Sequence, residues 1–112
     1  MIKAWDNWKS VLFLNDLDKE AGDKLLNGNY RNELNCDYLQ MAHHGQNGVR
    51  KDFYRSIKFK ACLWPTPIWL HDNDAGKGYN TYKWETIEIR NLMDSIGIKK
   101  NYWAYKGLCK TE

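Results

Sequence analysis

Two adjacent histidines followed by a glycine, His43-His44-Gly45, are the residues of this chain best suited to chemistry. They follow residues 37–42, a short and mostly apolar run that predicts a β-strand. Glycine tolerates positive φ, so it lets the chain turn sharply after the strand. Histidine is the commonest nitrogen ligand of zinc-type metals and the usual proton donor or acceptor near neutral pH. The sequence therefore predicts a metal or acid–base site at the end of this strand.

An acid lies at the end of a second predicted strand. Residues 10–14 are largely apolar and lead into Asp16. Residues 17–26 then carry apolar side chains at helical spacing, with Asp18 as the expected N-cap. In open α/β sheets, ligands gather at the carboxyl ends of the strands. We therefore expect Asp16 and the histidine pair to lie at the same edge of one sheet.

These two segments resemble the second half of a metallo-β-lactamase-fold hydrolase. The resemblance is carried by a strand that ends in an acid, a helix, and then Asp-Tyr-Leu-Gln-Met-Ala-His-His-Gly. The chain looks most like the competence-type branch of bacterial DNA-uptake proteins and their small soluble relatives, whose strands end in Gly-Asp and in Asp-x-Leu-Lys-x-x-His-His-Gly-Ser. The likeness runs from about Ser10 to the C-terminus. It implies that residues 1–112 form a single partial domain, the C-terminal half of an αββα sandwich built from alternating strands and helices.

The resemblance also implies a role for each residue at the two strand ends. The Asp16 carboxylate would bridge two metal ions, and a neutral ring nitrogen of His44 would bind the second ion. His43 and Gly45 would shape the pocket around these ligands. Zinc or manganese suits mixed nitrogen and oxygen ligands, and two ions roughly 3.5–4 Å apart can clamp a phosphoryl group during its transfer. The implied activity is hydrolysis of phosphodiesters, as by a nuclease.

Residue type alone leaves simpler interpretations open. In these interpretations, the Asp16 carboxylate interacts favourably with the dipole at the N-terminus of the following helix, and His44 is an imidazole on a surface loop. Asn15 and Gln46 also depart from the family pattern, which has glycine and serine at those positions.

The family's first metal motif, His-x-His-x-Asp-His, is absent, because the three histidines are at positions 43, 44 and 71. Asp16 and His44 fall short of the three protein ligands that a catalytic zinc normally has. We therefore expect weak or no metal binding, and no hydrolysis, by this chain alone. A separate N-terminal half, or a second copy in a homodimer, would have to supply the missing metal ligands. Whether the chain itself is an enzyme therefore stays open.

A polar loop at residues 68–80 carries the remaining site candidates. It follows a predicted strand at residues 60–64, and the matching loop of the family borders the active site. His71 and Tyr79 would serve there as leaving-group acid or as stacking partner for the substrate. A solvated loop tip is an equally good interpretation.

The rest of the chain continues the alternation of strands and helices. Residues 49–57 predict one helix, and residues 82–96 predict the clearest one, capped by Asn80 or Thr81 and ended by Gly97. A last strand is predicted at residues 102–105. The pattern predicts a layered α/β sheet.

Interleaved aromatic and basic side chains favour a second class of function. Such mixtures stack nucleobases and follow phosphates. The alternative is therefore a non-catalytic module that binds nucleic acid, or a structural half-domain that pairs with another chain. We expect Trp64 and Trp84 in the core, and Trp69 and Tyr82 are less certain. The interleaved residues are Trp64, Trp69, Lys77, Tyr79, Tyr82, Lys83 and Trp84.

Composition excludes several classes of protein. A net charge of +3 is too small to indicate nucleic-acid binding by itself. Three widely spaced cysteines predict reduced thiols that pack as small apolar side chains, as in a cytoplasmic protein. No apolar run is long enough for a membrane span, so no membrane segment is expected.

Overall fold

The computed structural model describes residues 2–5, 9–29, 31–46 and 48–104. Within them the chain forms a five-stranded mixed sheet with helices between its parallel strands, which confirms the alternating α/β fold. The elements in chain order are β1 (Ile2–Trp5), β2 (Ser10–Phe13), α1 (Lys19–Leu26), β3 (Tyr38–Gln40), α2 (Lys51–Ser56), β4 (Ala61–Trp64), α3 (Ile68–His71), α4 (Thr86–Ser95) and β5 (Lys100–Trp103), with 3₁₀ turns at Arg31–Leu34 and Ala42–Gly45.

The strands follow the order β1-β2-β3-β4-β5 across the sheet, so chain neighbours are also sheet neighbours. β1 is antiparallel to β2, whereas β2 to β5 are parallel. Because parallel strands point the same way, the loops after β2, β3 and β4 all leave the sheet on one side. We call these loops, residues 14–17, 41–46 and 65–67, the carboxyl edge.

The core lies on the parallel part of the sheet and under its helices. Leu12, Leu39 and Cys62 occupy neighbouring positions on β2, β3 and β4, and all three are fully buried. Phe53 of α2 and Ile89 of α4 pack in the same cluster. Burying a side chain of this size contributes about 1.5–3 kcal/mol, so this cluster holds the strand ends in place.

Asp37 connects the starts of β2, β3 and β4, at the end of the sheet opposite the carboxyl edge. Its Oδ2 accepts a hydrogen bond from Ser10 N at 2.8 Å, and Lys60 Nζ lies 3.4 Å from its Oδ1. Its carbonyl oxygen accepts from the amides of Lys60 and Ala61 at 3.0 and 3.1 Å. The Ser10 amide, and then Lys60, lower the pKa of the Asp37 carboxyl below its ordinary value of 3.8.

Two helix ends confirm the capping signals of the sequence. Asp18 is the N-cap of α1, and its Oδ1 accepts from Ala21 N at 2.8 Å. Gly97 follows α4 with φ +88°, and Ile98 N donates to Met93 O at 2.9 Å. This is the Schellman arrangement that a glycine after a helix predicts.

Two element predictions were wrong in part, and β1 was not predicted. Its sequence, Ile-Lys-Ala-Trp, is interrupted by a lysine and lacks the continuous apolar run of β2 and β4. The loop at residues 68–80 begins with the short helix α3, and the final strand lies at Lys100–Trp103 instead of residues 102–105. Position 105 lies outside the described residues.

The start of α4 also differs from its prediction. The helix begins at Thr86 with Glu85 as N-cap, not after Asn80 or Thr81. The preceding residues cannot join the helix because Asn73 binds their backbone, donating to Tyr82 O at 2.7 Å and accepting from Trp84 N at 3.1 Å.

Cys36 and Cys62 are buried and form no disulfide. Burial raises the pKa of the Cys36 thiol to about 11 and that of Cys62 to about 12, so both are neutral at ordinary pH. They pack as small apolar side chains, as predicted; Cys109 lies outside the described residues. Among the helices that the structure describes, none has the length and apolar character needed to cross a membrane.

Candidate functional site

The loops after β2 and β3 are joined directly at the carboxyl edge. His43 N donates to Asn15 O at 2.8 Å, and Asn15 N donates to Gln40 Oε1 at 3.0 Å. Asn15 has φ +53°, a conformation that asparagine and glycine tolerate best. An asparagine therefore fits the backbone at this position. The two strand ends lie side by side, as expected.

The histidine pair sits in an unusual backbone turn. His43, His44 and Gly45 have φ values of +49°, +57° and +87°, three consecutive residues in or near the left-handed region. This region costs a residue with a Cβ about 1–2 kcal/mol, so a run of two such residues persists only where contacts enforce it. The glycine predicted to turn the chain is thus part of a longer strained turn.

The loop after β4 holds His44 from the other side. Pro65 O lies 2.7 Å from His44 Nδ1, and Thr66 Oγ1 donates to His44 O at 2.5 Å. A carbonyl oxygen only accepts, so Nδ1 carries a hydrogen, and in the neutral ring Nε2 keeps its lone pair. This is the tautomer that a metal-binding histidine uses when its other nitrogen is fixed by the protein.

His43 is half-buried and has an unsatisfied ring nitrogen. Its Nε2 is buried and has no hydrogen-bond partner among the described residues. A buried polar atom without a partner costs about 1–3 kcal/mol. His43 Nε2 is therefore an unfavourable polar atom within the strained turn.

Asp16 is exposed in the turn after β2, one residue beyond the backbone contact with His43. Asp16 and His44 are the ligand candidates at this edge, with His43 beside them. Across residues 2–5, 9–29, 31–46 and 48–104, no group of three or more His, Cys, Asp or Glu side chains is arranged to hold a metal ion. A metal here would need donors from outside these ranges.

Thr66 offers a test of how firmly the His44 turn is held. Thr66 and Thr86 are both fully buried, but Thr66 donates to His44 O whereas Thr86 Oγ1 has no partner among the described residues. Thr66→Val should lower the free energy of unfolding by about 1–2 kcal/mol, because the partly buried hydrogen bond to the His44 carbonyl is lost. Thr86→Val should be neutral or stabilising, because it removes an unsatisfied hydroxyl. Urea unfolding of both variants measures the difference; equal effects would contradict it.

His71, the third histidine, belongs to a different cluster. It lies in α3 just after the Pro65–Thr66 segment, and its ring packs edge-on against Trp103 at 4.5 Å between centroids. Trp103 in turn stacks on Trp64 at 4.4 Å. His71 thus borders the carboxyl edge, but it is not grouped with Asp16 and His44.

Arg90 and Tyr79 complete the His71 cluster. His71 Nδ1 lies 2.7 Å from Asp72 Oδ1, and Arg90 Nη1 lies 2.9 Å from His71 Nε2. Arg90 Nη2 donates to Tyr79 Oη at 3.0 Å. The structure thus brings the two predicted residues, His71 and Tyr79, together through Arg90. Sequence reasoning missed this arginine because it lies on α4 and its partners come from the preceding loop.

The loop from residue 72 to residue 84 is held by two polar side chains, and its outer part, residues 75–83, is exposed to solvent. Asn73 is 2% exposed and binds Asn80 as well as the backbone before α4. Asp74 Oδ1 accepts from Gly78 N at 3.0 Å and from Gly76 N at 2.7 Å, and these amides lower the pKa of its carboxyl. The Asn-Asp pair before two glycines is the sequence signal that could have predicted this turn.

The aromatic residues divide between core and surface. Trp64 is buried, as predicted, whereas Trp84 is half-buried. Trp69 and Tyr82 are 51% and 42% exposed, and both lie against Trp84, with centroids 5.1 and 4.3 Å away. Lys83 Nζ lies 5.7 Å from the Tyr82 ring centroid. Together they form an aromatic–basic surface, defined as Trp69, Tyr82, Lys83 and Trp84.

A cavity of about 280 Å³ lies elsewhere on the chain and contains no predicted site residue. Two of its charged lining residues form ion pairs, Arg50 with Asp23 and Lys51 with Glu88. It is lined by Lys19, Val49, Arg50, Lys51, Asp52 and Glu85.

Comparison with known proteins gives no independent assignment of this site. No family model matches the sequence, and no curated protein or solved structure matches it.

Proposed function

We propose that the carboxyl edge is part of the metal centre of a hydrolase that cleaves phosphodiesters, similar to the C-terminal half of a metallo-β-lactamase-fold enzyme. The observation that carries the proposal is His44, whose Nδ1 is fixed by Pro65 O at 2.7 Å so that Nε2 is left for a ligand. Asp16 supplies a carboxylate from the neighbouring strand end. This pairing of an acid and a histidine is the one that the resemblance implies.

The two candidate ligands, Asp16 and His44, are of types that suit zinc or manganese. A neutral imidazole and a carboxylate are suitable ligands for either ion. Asp16 and His44 would hold the ion, and the ion would supply an activated water for attack on phosphorus. The chain's own contribution is to position His44, because the left-handed turn and Thr66 hold this residue beside the loop that follows β4.

Two ligands do not complete a catalytic centre. The resemblance assigns the others to a His-x-His-x-Asp-His motif that this sequence lacks. We propose that these ligands come from another polypeptide, either a separate N-terminal half or a second copy, and that this chain alone binds metal weakly and does not turn over substrate.

Zinc titration of the chain, followed by NMR of the histidine side chains, tests the proposal. Zinc should perturb His44 before His71, and both Asp16→Asn and His44→Asn should weaken binding by about tenfold or more. Asparagine is chosen at position 44 because it tolerates positive φ and keeps a donor for Pro65 O while removing Nε2.

Asp94→Asn is the matched control for charge, since Asp94 is an exposed carboxylate on α4 that pairs with Lys99. Its zinc binding should equal that of the unaltered chain. If Asp16→Asn and His44→Asn bind zinc like this control, Asp16 and His44 are not ligands and the proposal fails.

The aromatic–basic surface favours a second candidate, a non-catalytic module that binds single-stranded nucleic acid. Two of its rings are largely exposed and are held in contact with a third, an arrangement on which bases can stack. Binding of an oligonucleotide in EDTA that weakens with salt and is unchanged by Asp16→Asn would favour this candidate.

A further inference from the structure

Arg90 is a half-buried cation that forms no ion pair with a carboxylate among the described residues. The ion pairs there use other basic groups, and Arg90 Nε is buried without a hydrogen-bond partner. A partly desolvated charge without a counter-ion is unfavourable, so such a guanidinium is suited to an anion from outside.

The neighbours of Arg90 orient it, and the carboxylate among them, Asp72, contacts His71 and not the guanidinium. A guanidinium only donates, so its Nη1 donates to His71 Nε2 at 2.9 Å. His71 is then a neutral ring whose Nδ1 hydrogen points to Asp72 Oδ1 at 2.7 Å. The face of Trp103, with its centroid 5.8 Å from the guanidinium carbon, supports the group from another side.

Tyr79 adds a donor that faces solvent. Its hydroxyl oxygen accepts a hydrogen bond from Arg90 Nη2 at 3.0 Å, and Tyr79 is 61% exposed. A hydroxyl that accepts one hydrogen bond keeps its own hydrogen for another acceptor. Arg90 and Tyr79 therefore present a positive charge and a hydroxyl donor at one place on the surface.

We propose that Arg90 and Tyr79 form a phosphate-binding subsite, in which His71 is a positioning residue. A phosphate group has several anionic oxygens and suits the planar, multiple donors of arginine. The subsite begins on the same segment that holds His44, because Pro65 and Thr66 contact His44 and lead directly into α3. Resting on the proposed function, we infer that the phosphate is one carried by the phosphodiester substrate.

Binding of inorganic phosphate and of dimethyl phosphate to the chain, in EDTA and at constant ionic strength, tests the subsite. NMR of the Arg90 side chain and calorimetry report binding. Arg90→Gln should weaken it by about tenfold or more, because a charge-assisted contact is lost. Tyr79→Phe should weaken it by about threefold to tenfold, because one neutral hydrogen bond is lost. Stronger binding of dimethyl phosphate than of inorganic phosphate would assign the subsite to a diester; the reverse would assign it to a terminal phosphate and overturn the diester assignment.

Arg55→Gln and Tyr102→Phe are the matched controls, removing an exposed guanidinium and a tyrosine hydroxyl elsewhere, and phosphate binding should not change in them. Tyr79 is exposed, so its variant decides the question if Arg90→Gln does not fold. The subsite is excluded if the intact chain binds neither anion, or if Tyr79→Phe binds as the intact chain does. Because EDTA removes metal, phosphate binding that survives a negative zinc titration would leave the subsite standing while the metal proposal falls.

Discussion

Gly45→Ala is expected to lower the free energy of unfolding by about 3 kcal/mol. A Cβ at this position would lie 2.5 Å from Trp64 Cε3, closer than packed carbon atoms approach. Trp64 cannot move away easily, because it is 1% exposed, stacks on Trp103 and donates from Nε1 to Asn101 Oδ1 at 2.9 Å. Forcing a methyl group into such a site costs about 1–3 kcal/mol, and the positive φ adds about 1–2 kcal/mol.

Gly97→Ala separates the cost of the steric clash from the cost of the positive φ. Gly97 has φ +88°, against +87° for Gly45, but a Cβ there would meet nothing within 4 Å. It should cost only the backbone term, about 1 kcal/mol. Urea unfolding of both variants measures the difference. Equal losses would mean that Trp64 yields to the methyl group and does not fix the histidine turn.

Three strands of the parallel sheet, β2, β3 and β4, could be predicted because each belongs to a short, mostly apolar run that ends in polar residues or proline. Both burial and direction follow from that local pattern, so the sequence alone could place Asp16 and His43-His44 at one edge of the sheet. The helix signals at Asp18 and Gly97 were equally local, and both are present in the fold. Features that depend on residues within about ten positions of one another could therefore be predicted from the sequence.

The contacts that give the site its chemistry are not local. The His44 tautomer depends on Pro65 O and its backbone turn on Thr66, and both residues belong to the loop after the next strand. The Arg90 partners are 11 and 19 residues away in the chain. No periodicity encodes such pairs, because they form only when α3 and α4 pack beside the sheet.

The boundary of α4 illustrates competition between local and distant preferences. Asn80 and Thr81 are good N-cap residues, so the sequence favours a helix that starts there. The Asn73 side chain instead binds the backbone at Tyr82 and Trp84, which keeps those residues in turns until Glu85. A buried amide with three hydrogen bonds thus outweighs a capping preference of about 1 kcal/mol.

Asn73→Ala is accordingly expected to lower the free energy of unfolding by about 3 kcal/mol. The change removes the donors to Tyr82 O and Asn80 Oδ1 and the acceptor for Trp84 N, and it places alanine at φ +51°. At this chain length such a loss lowers the melting temperature by roughly 10 °C. Thermal unfolding measures the stability, and limited proteolysis should show earlier cleavage between residues 72 and 85.

Asn80→Ala provides the comparison for this loop. Asn80 also has positive φ, at +56°, but it is exposed, and its amide oxygen makes one hydrogen bond, to Asn73. Its loss should cost about 1 kcal/mol, chiefly from backbone strain. If Asn73→Ala costs no more than Asn80→Ala, the buried amide does not organise the loop. The position of Tyr79 beside Arg90 would then need another cause, because that loop is what carries the tyrosine to the helix.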